Sequence, residues 1–290
     1  LGVPRGQHMK HFYIIVNEDK ADTKAMGERI SRYLEDHGCT YQTSGGVFSK
    51  GKRFTSVSDV PEDTECVITL GGDGTFIQAA RDLAGTGLPI VGINLGDLGY
   101  LTQMGKGGDL EELLDALLSD HYEIQERMML SGRVYHEGKP AASRIALNDI
   151  VLAREGDMRV LKFKIYVNGQ FLYEYSADGV IVSTPTGSTA YNLSAGGPIA
   201  QPDGELLILT PVCPHTLTSR TIVLGPESRI RIEISEKNEG CQAAAFDGGT
   251  KVALTRGDYI EIERSKMVTR AVKLDDRSFL DILKHKMYDA

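Results

Sequence analysis

The chain has 290 residues, 41% hydrophobic and 25% charged, an ordinary globular composition that is long enough for two domains and excludes a disordered or fibrous protein. A formal net charge of −8 offers no basic surface to a phosphate backbone, so no nucleic-acid partner is expected. The longest apolar runs, such as Gly179-Val180-Ile181-Val182, are strand-sized and far below the roughly 20 residues that span a bilayer, so no membrane partner is expected either.

Residues 1–8 read as a protease-site vector remnant ahead of Met9, and no signal peptide is visible. A first domain is expected over residues 9–128. Phe12-Tyr13-Ile14-Ile15-Val16 is a strand by composition, and Ala25, Met26, Ile30, Tyr33 and Leu34 recur at helical spacing within residues 21–37, before Gly38. Residues 45–58, rich in Gly, Ser and Lys without a period, read as a loop. Cys66-Val67-Ile68-Thr69-Leu70 resumes the sheet, a glycine turn follows at residues 71–75, and residues 76–84 carry a helical pattern. Residues 88–94 form another β-rich run that leads into a second glycine-rich loop at residues 95–101. In an open parallel sheet, loops at the carboxyl ends of the strands line one crevice, where both glycine loops are expected. Leu110, Leu113, Leu114, Leu117 and Leu118 predict an amphipathic helix with Asp109 as its cap.

From about Met129 the pattern becomes a succession of strands with hairpin signals at Glu137-Gly138 and Asn168-Gly169. Residues 161–167 alternate apolar and polar, and further short runs fall at residues 206–209, 230–234, 242–246 and 259–262. The expected fold is therefore α/β, an N-terminal doubly wound, Rossmann-like domain followed by a mainly antiparallel β-sandwich over residues 129–266. Residues 267–290 read as a tail with a helix from 279 to 287 packing back on the body.

Two stretches carry chemistry. Gly71-Gly72-Asp73-Gly74-Thr75 joins a strand to a helix, where glycine amides approach an anion and the helix adds its positive dipole end. Asp73 beside phosphates points to phosphoryl transfer, as a base for an attacking hydroxyl; its alternative role is a helix cap. Residues 183–198 follow the run Val180-Ile181-Val182 and are too polar and glycine-rich for core. Hydroxyls, exposed amides and a single tyrosine suit a base and sugar hydroxyls, although any three of these residues also make an ordinary Ser/Thr turn. Cys39, Cys66, Cys213 and Cys241 form no C-x-x-C pair, so neither a zinc site nor a disulfide framework is implied and a cytoplasmic location fits.

With both stretches in view, the chain resembles the NAD kinases over nearly its whole length. The matching residues are Gly71-Gly72-Asp73-Gly74, residues 94–101 with their Leu98-Gly99-Tyr100-Leu101 end, Asn148-Asp149, residues 183–198, Pro211 with Cys213-Pro214-His215-Thr216-Leu217, and Asp247-Gly248. The glycine-aspartate turn is shared with diacylglycerol kinases and phosphofructokinases; residues 184–191 with 194–198 are the specific part. The resemblance implies transfer of the γ-phosphoryl group of ATP, or of polyphosphate, to the 2′-hydroxyl of the adenosine ribose of NAD, with a divalent cation such as Mg²⁺. It implies Asp73 as the catalytic residue and Gly71, Gly72 and Gly74 at the donor phosphates. It further implies Asp73, Gly74, Tyr100, Asn148, Asp149, Thr186, Thr189, Ala190, Tyr191, Ser194 and Asp247 around NAD, and Asp178 on its nicotinamide side. The family often has Asn-Glu where this chain has Asn148-Asp149, one methylene shorter, which leaves open which ribose hydroxyl Asp149 reaches. A homo-oligomer, dimer or tetramer, is implied in the same way.

His215 could hold a phosphate or be a structural hydrogen-bonder, Asp247-Gly248-Gly249 could contact the dinucleotide or simply turn a hairpin, and Asp275-Asp276 reads as a solvated turn. Two other functions compete. A lipid kinase would share the glycine-aspartate turn, but no greasy or basic membrane-facing stretch stands out. A non-catalytic NADP(H)-binding sensor would have little use for Asp73, whose charge opposes a phosphorylated product.

Overall fold

Apolar runs of five residues alternating with amphipathic segments are the pattern of a parallel sheet covered on both faces, and the first part of the chain folds that way. The computed structural model describes residues 8–19, 22–46, 54–97, 99–105, 108–156, 160–216, 219–238, 240–274 and 277–288. Most of the expected vector remnant, residues 47–53 of the loop expected at 45–58, Leu98, Leu217 and the Asp275-Asp276 pair lie outside the described residues. Two compact units divide the described chain, one holding the residues up to Glu126 and from Val268 onward, the other Arg127–Met267.

The first unit opens with β1 (His11–Asn17), α1 (Thr23–Asp36), β2 (Thr40–Gly46), β3 (Cys66–Leu70), α2 (Asp73–Asp82), β4 (Pro89–Ile93), β5 (Thr102–Met104) and α3 (Leu110–Leu118). β2, β1, β3 and β4 lie side by side in that order, all parallel, and β5 joins β4. Ile30 and Leu34 of α1 and four leucines of α3 share a buried cluster with Phe12, Ile14, Val16, Ile68 and Val91 of the strands. On the other face Phe76 of α2 lies against Gly92, where a Cβ would come within 3.1 Å of its ring. Helices on both faces make this a doubly wound sheet. Its strand order reverses between β1 and β3, which places the topological switch point beside the turn that follows β3.

The second unit contains β6 (Glu123–His136, entering from the first unit), β7 (Lys139–Ala146), β8 (Asp149–Glu155), β9 (Leu161–Val167), β10 (Gln170–Ala177), β11 (Gly179–Ser183), the short α4 (Tyr191–Ser194), β12 (Leu207–Val212), β13 (Ile222–Leu224), β14 (Ile230–Ile234), β15 (Cys241–Phe246), β16 (Thr250–Leu254) and β17 (Tyr259–Lys273). One layer runs β10-β9-β14-β17, with β6 paired to β7; the other runs β13-β12-β11-β8-β15-β16. Phe163, Ile165, Ile232 and Ile260 from the first layer meet Ile150, Val180, Val182, Leu209 and Phe246 from the second in a common core, the sandwich the sequence predicts. The hairpin signals are real turns. Glu137 and Gly138, and Asn168 and Gly169, all adopt positive φ, the conformation of a two-residue hairpin. β17 returns the chain to the first unit, where Arg270 and Ala271 pair in parallel with Pro89 and Ile90 of β4, and α5 (Phe279–Tyr288) ends the described chain.

Several elements differ from the sequence expectation for identifiable reasons. β2 and β7 are polar and largely exposed, so they lack the apolar signal that reveals buried strands. α2 starts at Asp73 instead of residue 76, because Gly72 is its N-cap and the helix takes in the end of the glycine motif.

Candidate functional site

In the first unit the candidate residues gather at the switch point. The N–H of Gly71 donates to Ile93 O at 2.9 Å, which ties the turn to β4 and commits that amide to the sheet. A Cβ on Gly71 would strike Thr75 Oγ1, 2.2 Å away, so glycine is required there by packing. Gly74 differs. It is exposed, and a Cβ on it would meet nothing within 4 Å, so no protein contact requires glycine at that position. The N–H groups of Thr75 and Phe76 donate to Gly72 O, so among the first amides of α2 those of Asp73 and Gly74 are the ones with no carbonyl behind them in the helix, at its positive dipole end.

Asp73 does not cap its helix with its side chain. Instead its carboxylate oxygens accept from the backbone N–H groups of Tyr100 at 2.8 Å and Leu101 at 3.1 Å, in the second glycine loop. Gly99 makes this possible, because a Cβ there would fall 1.9 Å from Asp73 Oδ1. The Tyr100 phenol is shifted up by burial, then by the Asp73 carboxylate. Asn17, which the sequence reading did not single out, ends β1 with a buried side chain that donates to Thr75 Oγ1 at 3.1 Å. A polar residue closing an apolar strand was the available signal.

In the second unit the polar run 183–198 is folded against Asn148-Asp149. Thr184 Oγ1 donates to Leu147 O at 2.6 Å and accepts from the N–H of Gly187 at 3.1 Å, while the N–H of Thr184 donates to Asn148 O at 2.8 Å. Gly187 lies flat on the Asn148 backbone, with only 2.1 Å between the position of a Cβ and Asn148 O. Asn192 is fully buried, bonded to Ser188 O, Pro198 O and the Thr210 hydroxyl. Ser183, Thr184, Ser188 and Asn192 thus serve the scaffold, and the Thr189 hydroxyl donates to Thr186 O at 3.5 Å, whereas the Thr186 hydroxyl has no partner among the described residues. Tyr191 is 45% exposed.

Asp247 occupies the turn between β15 and β16 with positive φ, so its hairpin role holds, and its side chain has a further one. Its carboxylate accepts from the N–H groups of Leu147, Asn148 and Asp149 at 2.9, 2.7 and 3.1 Å and so fixes the entry to β8. Asp149 is buried there. Burial, then the Asp247 carboxylate, push its carboxyl up to about 7. Asn148 Oδ1 and Thr186 Oγ1 are buried without a hydrogen-bond partner among the described residues, a state a ligand would relieve. Asp178 lies at the far end of β11, paired with Arg154 Nε at 3.1 Å. His215 is exposed, and its backbone N–H donates to Ser176 O.

Family profiles match both parts of the chain, the ATP-NAD kinase N-terminal domain over residues 12–122 and the ATP-NAD kinase C-terminal domain over residues 147–274. An NAD kinase of Lachnospira eligens is 44% identical over 294 residues, covering 96% of this chain and 100% of its own, and one of Agathobacter rectalis is 42% identical with 96% and 99% covered. The chain belongs to the NAD kinase family. NAD kinases transfer a phosphoryl group from ATP to the 2′-hydroxyl of the adenosine ribose of NAD, giving NADP, and this chain is such an enzyme. A yeast NADH kinase solved with NADH superimposes with a TM-score of 0.81 at 25% identity, covering 98% of this chain and 88% of that one. An Archaeoglobus fulgidus NAD kinase solved with ATP, at 24% identity and a TM-score of 0.73, shares the fold. These likenesses support the NAD kinase reading over the lipid kinase and the NADP(H)-binding sensor.

Proposed function

We propose that Asp73 is the residue of this NAD kinase that orients and deprotonates the 2′-hydroxyl of NAD. The observation that carries the proposal is its pair of hydrogen bonds to Tyr100 and Leu101, which hold the carboxylate away from its own helix while each oxygen keeps a lone pair for an incoming hydroxyl. The 2′-oxygen attacks the γ-phosphorus, the bond to the ADP oxygen breaks, and the hydroxyl proton passes to Asp73. Gly72 and Gly74 meet the donor phosphates with their amides, and the helix dipole supports the charge that develops there. Gly71 acts by shaping the turn, since its own amide is bonded to Ile93.

In the second unit Asn148, Asp149, Thr186, Thr189, Ala190, Tyr191 and Ser194 take the adenosine of NAD, and in the first Tyr100 is a further NAD-contacting residue. Asp247 acts through the backbone it holds. Asp178 serves the nicotinamide side, and His215 is a further phosphate candidate by its exposure.

The divalent cation, Mg²⁺, enters as part of the ATP substrate. Among the described residues no group of three or more His, Cys, Asp or Glu side chains could hold a metal ion, and Mg²⁺ ordinarily needs only one or two carboxylates beside phosphate oxygens and water. Four free thiols favour a reducing compartment, the cytoplasm, and among the described residues no helix is long and apolar enough to cross a membrane. A homo-oligomer is favoured by the family resemblance.

Steady-state kinetics of Asp73→Asn at several Mg²⁺ concentrations test the assignment. A kcat lower by roughly 10² to 10⁴ with little change in KM for NAD is expected. Recovery at high Mg²⁺ would instead make Asp73 a cation-holding group, and a near-normal kcat would end the proposal.

A further inference from the structure

The entry to β8 contains an acid that the surrounding structure does not equip to carry charge. Asp149 is 4% exposed, and its carboxyl makes no hydrogen bond to any described residue. The donors that would ordinarily stabilise a carboxylate at this point, the N–H groups of Leu147, Asn148 and Asp149 itself, all point at Asp247. No cation among the described residues offsets this. Ser183 stands opposite on β11, and residues 184–190 bring hydroxyls but no ionisable group. The ionisable side chain that faces Asp149 from the turn after β15 is Asp247, of like charge. A buried anion beside a second anion, with no donor of its own, is relieved by taking up a proton.

We propose that Asp149 meets the adenosine half of NAD as a neutral carboxylic acid and donates its proton to it in a hydrogen bond. This rests on the reading that Asn148 and Asp149 take the adenosine. A carboxylic acid donates where a carboxylate only accepts, so the group is complementary to a ribose oxygen or a ring nitrogen. The neighbouring Asn148 Oδ1, buried without a partner among the described residues, supplies the matching acceptor, and the Thr186 hydroxyl supplies either role. With the proton lost, a buried carboxylate would face the half-buried one of Asp247 and the donor would be gone. The affinity for NAD is therefore tied to the protonation of one side chain.

Calorimetric titration of the intact enzyme with NAD, without ATP, at about pH 6 and about pH 8.5 tests this. With Asp149 titrating at about 7, wild-type affinity is expected to fall about 30-fold between the two. Asp149→Asn, neutral at every pH and still carrying an N–H donor, is expected to bind NAD equally at both. Wild-type affinity that is constant or rises with pH overturns the proposal, as does an Asn variant that keeps the wild-type slope. If neither Asp149→Asn nor Asp149→Ala alters NAD affinity at about pH 6, the adenosine reading of this residue fails, and the proposal with it.

Discussion

Gly99 leaves the space that Asp73 occupies: a methyl group at Gly99 would lie 1.9 Å from Asp73 Oδ1, and no rotation about the alanine side chain would relieve that clash. The side chain bonded to Tyr100 and Leu101 is held by a neighbour's lack of a side chain. Gly99→Ala should therefore displace the carboxylate by an ångström or so and lower kcat by about 10²-fold, with a smaller change in KM for NAD. Initial-rate kinetics alongside a melting curve check this, and an unchanged kcat would show that the position of Asp73 does not matter to turnover.

Asp247 holds three backbone amides with one carboxylate. Asp247→Ala leaves those donors without partners and should cost about 2 to 4 kcal/mol of stability, less whatever is regained by removing its repulsion on Asp149. Because the displaced backbone belongs to Asn148 and Asp149, KM for NAD should rise while KM for ATP stays near its original value. Denaturant unfolding and two-substrate kinetics measure the two effects separately.

The raised titration of Asp149 also sets a pH dependence of stability. Between the ordinary carboxylate value near 4 and the folded value of about 7, the native state holds a proton that the unfolded chain has released, so stability falls as pH rises through that window and levels off above it. Full ionisation costs on the order of 4 kcal/mol. Asp149→Asn should remove this slope, and melting temperatures of the ligand-free protein from about pH 5 to 8 will show wild type and variant diverging as pH rises, or running parallel if the idea is wrong.

Tyr191 opens α4 and is 45% exposed, with no part in the core. Tyr191→Ala should leave the melting temperature nearly unchanged and raise KM for NAD several-fold, because a wall contact is made in the ground and transition states alike. An unchanged KM for NAD would remove Tyr191 from the acceptor pocket.

Local pattern determined much of this protein. The apolar runs of β1, β3 and β4, the leucine spacing of α3 with its Asp109 cap, and the Glu137-Gly138 and Asn168-Gly169 turns are short-range effects of burial, side-chain hydrogen bonding and backbone freedom, so each is visible in a few consecutive residues. The glycine turn and the polar run 183–198 were legible for the same reason, since their composition is wrong for core. Tertiary structure decided what each side chain does there. Whether Asp73 caps α2 or reaches another loop depends on Gly99 and Tyr100, which lie more than twenty residues away in the chain. Asp247 turns a hairpin by its sequence, but its hold on residues 147–149 exists only because β15 pairs with β8. The exposed strand β2 was not legible, and β7 was marked only by the Glu137-Gly138 turn before it, since a polar strand is specified by the backbone of its neighbour and leaves no apolar mark of its own. The charge state of Asp149 is the clearest case: nothing in the residue type sets it, and it follows from burial and from a second carboxylate that the fold brings beside it.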